Sequence, residues 1–397
     1  MQIYLYLRDF PAFDAPPNSG FEKAVSGLAW GFNQCGIKVT ILCEGQHDSI
    51  YKSRNGYVVR CFAKASNFVA SHSLENFIRN HIVREDVVIL NGMFNPRVYF
   101  ISQTLRNYGI PYIFAPHGQY NSTLFAKNPH LKLTYWYLFE RPMLQAASII
   151  QTLNPEQVVW LKGAGIQTRI IETTNGFLPK EVMELADLRW TITGTPKLFY
   201  YGRLETYIKG LDILMDAFSD LIKTFDAQLV FQGPDQGGKE KLERQAAKLG
   251  ISKSIKILPP EYGKIGTEVI SKYDVFCLTS RVEAFSMAAL EAMLAGRPLL
   301  MTRNSAVAAY VEAAKCGVVA DPTPSAMASA LRQILSSRST WQQMGMNGRD
   351  YILENMRWDK LAASLLVTYK EPVPVSKRLA YGEKNVGDKL AEAYRQF

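Results

Sequence analysis

Two glutamates stand eight positions apart in the segment Glu283-Ala-Phe-Ser-Met-Ala-Ala-Leu-Glu291. Ser286 is a residue type that caps helices, so the pattern predicts a helix from about Met287, with Glu283 in the loop before it and Glu291 just over one turn inside. The free N–H groups at a helix start favour anions, so a diphosphate could lie against the amides of residues 285–287. Glu283 would then face a sugar and Glu291 a ribose diol. The alternative is a solvated loop acid followed by an ordinary helical acid.

Two cations follow the predicted strand Lys197–Tyr201, Arg203 in Gly202-Arg-Leu and Lys209 in Lys209-Gly-Leu-Asp. A helix is expected from about residue 210, and a cation at its N-terminus opposes the helix dipole. A bound anion between lysine and helix would remove this conflict. The pair therefore predicts a diphosphate clamp, with Arg203 as a bidentate donor and Lys209 as a point charge. Each could also be an ordinary surface cation.

Two loops near the N-terminus are further candidates, because ligands of open α/β sheets bind at the carboxyl ends of strands. His117, in Pro116-His117-Gly118, follows a predicted strand and could donate to a sugar hydroxyl, or it could be a structural histidine. The long loop before the first helix ends in Ser19-Gly20. Gly20 could touch a phosphate through its amide, or Ser19 could simply cap the helix. We expect this irregular loop to meet the acceptor of a transfer reaction.

One segment, Gly233–Glu240, imitates a phosphate-binding P-loop, with the form G-x4-G-K between a predicted strand and helix. Position 240 is Glu where the motif needs the Mg²⁺-binding hydroxyl of Ser or Thr, so ATP hydrolysis is not favoured. No G-x-G-x-x-G follows the first predicted strand, and no H-E-x-x-H occurs. The sequence therefore indicates neither NAD nor a metal site.

Short apolar runs alternate with amphipathic helical stretches, which is typical of parallel sheets covered by helices. The 397 residues exceed one hydrophobic core, so two domains are expected. We predict α/β architecture, with Rossmann-like domains at 1–178 and 190–360 facing a central cleft, a hinge from Thr173 to Pro196, and a helix and basic tail at 361–397. The predicted strands are Ile3–Leu7, Lys38–Cys43, Tyr57–Phe62, Asp86–Leu90, Tyr112–Ala115, Ser148–Gln151, Lys197–Tyr201, Gln228–Phe231, Ile255–Leu258, Val275–Leu278, Leu299–Met301 and Gly317–Val319.

Composition narrows the class of protein further. With 47% hydrophobic and 20% charged residues, no apolar run of membrane-spanning length and a first segment that reads as a buried strand, we expect a cytoplasmic globular protein. The net charge of +9 is spread over both halves without an Arg/Lys tract, so nucleic acid is not expected. An anionic small substrate or an anionic membrane surface accounts for the excess. The five cysteines lack C-x-x-C spacing and indicate reduced core residues.

Together, Gly202-Arg-Leu, Lys209-Gly-Leu-Asp and the Glu283/Glu291 pair before Ala-Gly-Arg-Pro298 resemble the donor half of the retaining glycosyltransferase family 4. Ser19-Gly20, Pro116-His117-Gly118 and Asn175-Gly176 follow the order of that family, and the resemblance covers about residues 1–365. The Pro-His-Gly region is most similar to members that build bacterial exopolysaccharides. The resemblance implies the GT-B fold and a metal-independent hexosyltransferase without a cofactor.

The resemblance also implies roles for the matching residues. Arg203 and Lys209 would neutralise the donor diphosphate, Glu291 would bind the ribose, and Glu283 would hold the transferred sugar, with His117 close to the ring. The amides of Phe285, Ser286 and Met287, and Gly20 opposite, would support sugar and phosphates.

The implied partners are a nucleotide-sugar donor, with UDP-glucose as first expectation, and a sugar or lipid-linked sugar acceptor in polysaccharide synthesis. The aromatic stretch Tyr135–Phe139 is expected in the core, but could touch lipid at the inner face of the plasma membrane if exposed. Two alternatives stay open: a sugar-nucleotide epimerase of the same fold, and a non-catalytic partner that binds nucleotide sugars.

Overall fold

The structure is a computed structural model that describes residues 1–370 except 12–14, 16–18, 66–69, 122, 126–127 and 191–192. The predicted basic tail after residue 370, with its amphipathic segment Gly387–Phe397, lies outside the described residues. Within the described part, no helix is both long and apolar enough to cross a membrane.

The N-terminal half forms an eight-stranded sheet whose strands run parallel except for the pairing of β3 with β4. Its order is β3-β4-β2-β1-β5-β6-β7-β8. The strands are β1 (Ile3–Tyr6), β2 (Val39–Gly45), β3 (Ser49–Lys52), β4 (Val58–Ala63), β5 (Val87–Asn91), β6 (Tyr112–Ala115), β7 (Ile149–Thr152) and β8 (Arg169–Glu172).

Helices cover both faces of this sheet, because alternate residues of its central strands are apolar on both sides. In β1, Ile3 and Leu5 join the apolar layer that includes the first helix, while Tyr4 and Tyr6 join the opposite layer. The helices are α1 (Gly20–Gln34), α2 (His72–His81), α3 (Pro96–Asn107), α4 (Pro129–Tyr135), a π-helical turn (Trp136–Glu140), α5 (Arg141–Ala146) and α6 (Pro155–Gly163).

The aromatic stretch Tyr135–Phe139 packs only partly into the core, with Tyr135, Tyr137 and Phe139 half-buried. Trp136 is buried and packs against the rings of Tyr120 and Trp160. Leu138 is the exception, because it is exposed.

The C-terminal half forms a six-stranded parallel sheet of order β11-β10-β9-β12-β13-β14 around a single large apolar core. Its strands are β9 (Lys197–Tyr201), β10 (Gln228–Gln232), β11 (Ile255–Leu258), β12 (Val275–Leu278), β13 (Leu299–Thr302) and β14 (Gly317–Ala320). Its helices, and the one that leaves it, are α7 (Leu211–Leu221), α8 (Lys239–Leu249), α9 (Gly266–Ile270), α10 (Met287–Leu294), α11 (Val307–Ala314), α12 (Pro324–Ser336), α13 (Trp341–Asn355) and α14 (Trp358–Lys370).

In both sheets the strand order reverses beside the first strand of the series. The reversal falls between β2 and β5 around β1 in the first sheet, and between β10 and β12 around β9 in the second. Loops that leave the carboxyl ends of strands at such a switch point diverge and open a crevice. The Lys209 loop leaves β9 and the Glu283 loop leaves the adjacent β12, so the topology places both predicted residues there.

The two halves are joined at the linker and again by the last described helix. Arg297 donates from Nη1 to the Arg189 carbonyl at 2.6 Å, and Arg349 donates to the Met183 carbonyl, so the linker is tied to the C-terminal half. Helix α14 returns to the N-terminal half, where Trp358 is buried in the layer of β1 and α1. The packing of α14, which the sequence left undefined, is therefore along α1.

Every strand predicted from the sequence is present, with ends that shift by up to two residues. Strands β3 and β8 were missed. Both are edge strands whose residues are mostly half-buried or exposed, so neither shows the continuous apolar run that marks the central strands.

Candidate active site

A cleft of about 1170 Å³ opens between the carboxyl ends of the two sheets. Each half contributes loops and one helix start to its walls. All the predicted site residues line it: Gly20, His117, Arg203, Lys209, Glu283, Phe285, Ser286, Met287 and Glu291. Residues from opposite ends of the sequence therefore meet in one cavity.

Lys209 and Glu283 form an ion pair in this cleft. The distance from Lys209 Nζ to Glu283 Oε2 is 2.5 Å, and the Ser280 hydroxyl donates to the same carboxylate at 3.2 Å. Both charged side chains are mostly buried, at 15% and 13% exposed. The expected conflict between Lys209 and the dipole of α7 is thus offset by a protein carboxylate, so the conflict alone does not require a bound anion.

The loop that carries Lys209 is fixed to the end of β12. Gly210 has φ of 61°, and a Cβ at this position would lie 1.9 Å from the Thr279 carbonyl oxygen, so only glycine fits. The Thr279 hydroxyl donates to the Gly210 carbonyl at 2.8 Å. Beyond it, Arg281 holds Asp212 of α7 with two hydrogen bonds of 2.7 Å. These contacts set the position of Lys209 before any ligand arrives.

Arg203 is placed differently from Lys209. It is exposed, and its Nη1 donates to Gln236 Oε1 at 3.2 Å. Its backbone is held, because the Tyr200 hydroxyl donates to the Arg203 carbonyl at 2.8 Å. The guanidinium is therefore an adjustable cation on a fixed backbone at the mouth of the cleft.

Helix α10 begins at Met287, as the sequence predicts. The hydroxyl of Ser286 accepts a hydrogen bond from the Ala289 N–H at 3.2 Å and caps the helix. Phe285 and Met287 are buried, and Glu291 lies 2% exposed at the floor of the cleft. A buried carboxylate needs a partner, and its partner comes from the other half of the molecule.

That partner is Lys23 of α1, whose ammonium contacts Glu291 Oε1. Lys23 was missed by the sequence analysis. It stands three positions after Gly20 on the same face of α1, which was the available sign, but its partner lies 268 residues away in the chain. Spacing along a sequence does not reveal such a pair.

His117 has its ring orientation and protonation set by Asn91. The Asn91 amide nitrogen donates to the carbonyls of Tyr6 and Ile89, at 2.9 and 3.2 Å, so its oxygen faces the imidazole. His117 Nε2 is 2.9 Å from that oxygen and must donate to it. Burial lowers the pKa of His117 to about 4, so the ring is neutral at ordinary pH.

This arrangement defines which hydrogen bond the side chain of His117 can offer to a ligand. Because Nε2 carries the proton and gives it to Asn91, the neutral ring of His117 offers Nδ1 as an acceptor. Its side chain can therefore accept from a hydroxyl through Nδ1, whereas the sequence analysis expected it to donate to one. The ring also lies against Phe21 of α1, with centroids 4.9 Å apart.

Two other helix starts show how polar side chains use their first N–H groups. The Ser19 hydroxyl accepts from the Glu22 N–H at 3.2 Å, so Ser19 is an N-cap. In the P-loop look-alike, Asp235 Oδ1 accepts from the N–H groups of Gly238 and Lys239 at 2.8 and 3.0 Å. A carboxylate thus occupies the place where a P-loop would hold phosphate, in agreement with the prediction against ATP hydrolysis.

Comparison with solved structures identifies the fold. Sucrose-phosphate synthase from Thermosynechococcus elongatus superimposes with a TM-score of 0.74 at 17% identity, covering 93% of this chain and 98% of that one. HepE from Anabaena, solved with UDP and glucose, superimposes with a TM-score of 0.69 at 14% identity, covering 94% and 100%. The predicted GT-B fold is confirmed.

Sequence comparison finds relatives mainly for the C-terminal half. Residues 189–351 match the family model of glycosyl transferases group 1. D-inositol 3-phosphate glycosyltransferase from Corynebacterium urealyticum is 31% identical over 182 residues, which are 43% of this chain and 42% of that protein. An MMP alpha-(1->4)-mannosyltransferase from Mycolicibacterium hassiacum is 24% identical over 227 residues, 56% and 50% of the two chains. The chain thus spans about half the length of the curated relatives it matches, or less.

Proposed function

We propose that this chain is a retaining glycosyltransferase that moves a hexose from a nucleotide sugar to a sugar or lipid-linked sugar acceptor, in exopolysaccharide or cell-envelope polysaccharide synthesis. One observation carries the proposal: Arg203, Lys209, Glu283 and Glu291 from one half face His117 from the other across a single cleft. UDP-glucose is the first donor to test. The names of the relatives support transfer chemistry, and the HepE structure with UDP and glucose supports this class of donor.

In the proposed reaction, the bond between the anomeric carbon and the diphosphate oxygen breaks as an acceptor oxygen attacks from the same face. The acceptor proton passes to the leaving phosphate oxygen. Arg203 and Lys209 stabilise the negative charge that grows on the diphosphate, and the start of α10 adds its dipole. The protein positions the reactants and stabilises charge, and it forms no bond to the sugar.

Glu283 acts as a grip in this scheme. Its ion pair with Lys209 orients the cation, and its other oxygen can accept from a sugar hydroxyl. The neutral ring of His117 accepts from another. A covalent role for Glu283 is the competing mechanism, and trapping a glycosyl-enzyme would establish it.

The experiment that tests the proposal begins with a thermal-shift screen of nucleotide sugars, because a ligand that binds the native state raises the melting temperature. Each donor that binds is then incubated with sugar and lipid-linked acceptors. Release of free nucleoside diphosphate with a glycosylated product is expected. An altered nucleotide sugar without diphosphate release would identify an epimerase, and binding without either reaction would identify a non-catalytic partner.

We also propose that the protein binds peripherally to the inner face of the plasma membrane. Its support is the net charge of +9 and two exposed apolar side chains of the N-terminal half, Leu131 at 75% and Val159 at 72%. Sedimentation with phosphatidylglycerol vesicles, and with neutral vesicles as control, tests it. Equal recovery in both supernatants would remove the membrane from the proposal.

A further inference from the structure

The first turns of two helices, one from each half, meet across the cleft. A Cβ added to Gly20 of α1 would lie 3.2 Å from Met287 Cγ of α10, so the Gly20 backbone packs closely against the Met287 side chain. One turn further along, Lys23 of α1 contacts Glu291 of α10. Residues three and four apart share a helix face, so both contacts belong to one line of packing. The ion pair therefore sits on a defined surface between the halves.

A second acid, Glu181, lies near the ion pair. Glu181 belongs to the linker and is half-buried, and its pKa is raised first by desolvation and next by the charge of Glu291. Burial alone would lower the pKa of Lys23, but the charge and hydrogen bond of Glu291, together with the charge of Glu181, outweigh it and the pKa is raised. Lys23 is therefore charged, and it is the cation that contacts this buried acid.

The site is also shaped around the Glu291 carboxylate. A Cβ at Gly266 would lie 2.3 Å from Glu291 Oε2, so glycine at the start of α9 leaves the room that the carboxylate occupies. Lys23 contacts the other oxygen, Oε1. A carboxylate offers about four lone-pair positions, so acceptor capacity remains on both oxygens after this contact.

We propose that Lys23 is a positioning residue for the donor: from the opposite half of the molecule it holds the Glu291 carboxylate where both oxygens can accept from the two hydroxyls of a ribose. The inference rests on the proposed function, in which Glu291 binds the donor ribose. Without Lys23, a buried carboxylate would face Glu181 with no cation in contact, and its orientation would change. Ribose recognition and the approach of the two halves thus depend on the same ion pair.

The test measures nucleotide binding by calorimetry with the full chain. UDP, GDP and ADP are titrated first, and the tightest binder is then compared with its 2′-deoxy counterpart. The variants are Lys23→Met, which keeps the aliphatic length, Lys23→Gln, Lys23→Arg and Glu291→Gln. The control is Lys38→Met, at an exposed lysine of the same half.

The wild type should prefer the ribonucleotide about tenfold, and Lys23→Met should weaken ribonucleotide binding about tenfold while leaving the deoxynucleotide little changed. The ratio of ribonucleotide to deoxynucleotide affinity should fall towards one, as in Glu291→Gln. The double variant Lys23→Met/Glu291→Gln should lose no more ribonucleotide affinity than either single variant. Lys23→Arg should retain most of the preference, and Lys38→Met all of it.

Other results overturn the inference. Equal weakening of both nucleotides would mean that Lys23 acts only on the fold, and tighter ribonucleotide binding in Lys23→Met would mean that the pair obstructs the site. Lys23→Gln gives the same comparison if the methionine variant does not fold. If the wild type binds nucleoside diphosphates but the variants keep its ratio of ribonucleotide to deoxynucleotide affinity, only this inference is refuted. A wild type that binds none of them defeats the proposed function itself.

Discussion

The two halves of the cleft use polar residues in different ways. In the C-terminal half, charged groups stand on loops and helix starts in the cleft, where Lys209 pairs with Glu283 within that half and Glu291 pairs with Lys23 across the cleft. In the N-terminal half, polar groups are buried behind the cleft wall and fix its loops: Asn91 holds His117, and Glu140 accepts from Tyr120 and the Phe94 N–H. The first arrangement is suited to an anionic ligand, and the second to holding a wall in shape. Substitutions should therefore change turnover in one half, and pH behaviour and stability in the other.

The largest effect is expected in the C-terminal half. Lys209→Ala should lower turnover roughly 10²- to 10³-fold, because it removes a cation placed beside the leaving diphosphate, and Arg203→Ala should act similarly. Release of nucleoside diphosphate is the measurement. Lys239→Ala is the matched control, since that lysine belongs to the P-loop look-alike. Wild-type rates for both Lys209→Ala and Arg203→Ala would refute the clamp.

The second effect concerns stability in the N-terminal half. Burial raises the pKa of Glu140 to about 7 from 4.5, against the hydrogen bonds from Tyr120 and Phe94. The folded state binds this proton more tightly than the unfolded state. The resulting stabilisation is complete below about pH 4.5 and is lost as the pH rises through 7, roughly 3 kcal/mol in all.

Denaturant unfolding at a series of pH values measures this effect. Because the low pKa of His117 makes stability rise over the same range, the Glu140 effect is measured as the difference in unfolding free energy between the wild type and Glu140→Gln, which should fall by most of that amount from pH 5 to 8. Glu85→Gln, at an exposed acid, should keep the wild-type dependence. If the difference between the wild type and Glu140→Gln is the same at pH 5 and pH 8, Glu140 does not change its ionisation over that range and the contrast between the halves weakens.

The third effect links the buried network to the cleft. His117 is neutral above a pKa of about 4, so turnover of the wild type should show no inflection from it between pH 5 and 8. Asn91→Asp puts a carboxylate beside Nε2, which favours the imidazolium. Turnover should fall about tenfold where the ring is charged, with an inflection appearing in the pH profile. Asn107→Asp, at the exposed end of α3, should leave the profile flat, and a flat Asn91→Asp profile would contradict this role.

The smallest effect on stability is expected from the two serine caps, Ser19 and Ser286, which both line the cleft. Ser19→Ala and Ser286→Ala each remove a bond to a backbone N–H and should each cost about 1 kcal/mol of unfolding free energy. Chemical denaturation measures both. A loss confined to Ser286→Ala would show that only the C-terminal helix start depends on its cap.

Most of the fold could be predicted, because central parallel strands are apolar on both faces and stand out as runs such as Val275–Leu278. Edge strands such as Ser49–Lys52 could not, since half their residues face solvent. Within the site, the helix start at Met287 followed from local rules, because a serine cap and the residues it bonds are neighbours in sequence.

The chain by itself therefore determined the alternation of strands and helices, the two helix starts, and which loops carry Arg203, Lys209, His117, Glu283 and Glu291. These depend on residues within one or two turns of each other. Only the tertiary structure decided that Lys209 pairs with Glu283, that Asn91 sets the His117 tautomer, and that Lys23 reaches Glu291. Each of these contacts joins residues between 26 and 268 positions apart, which meet because the strand order and the return of α14 bring their elements together.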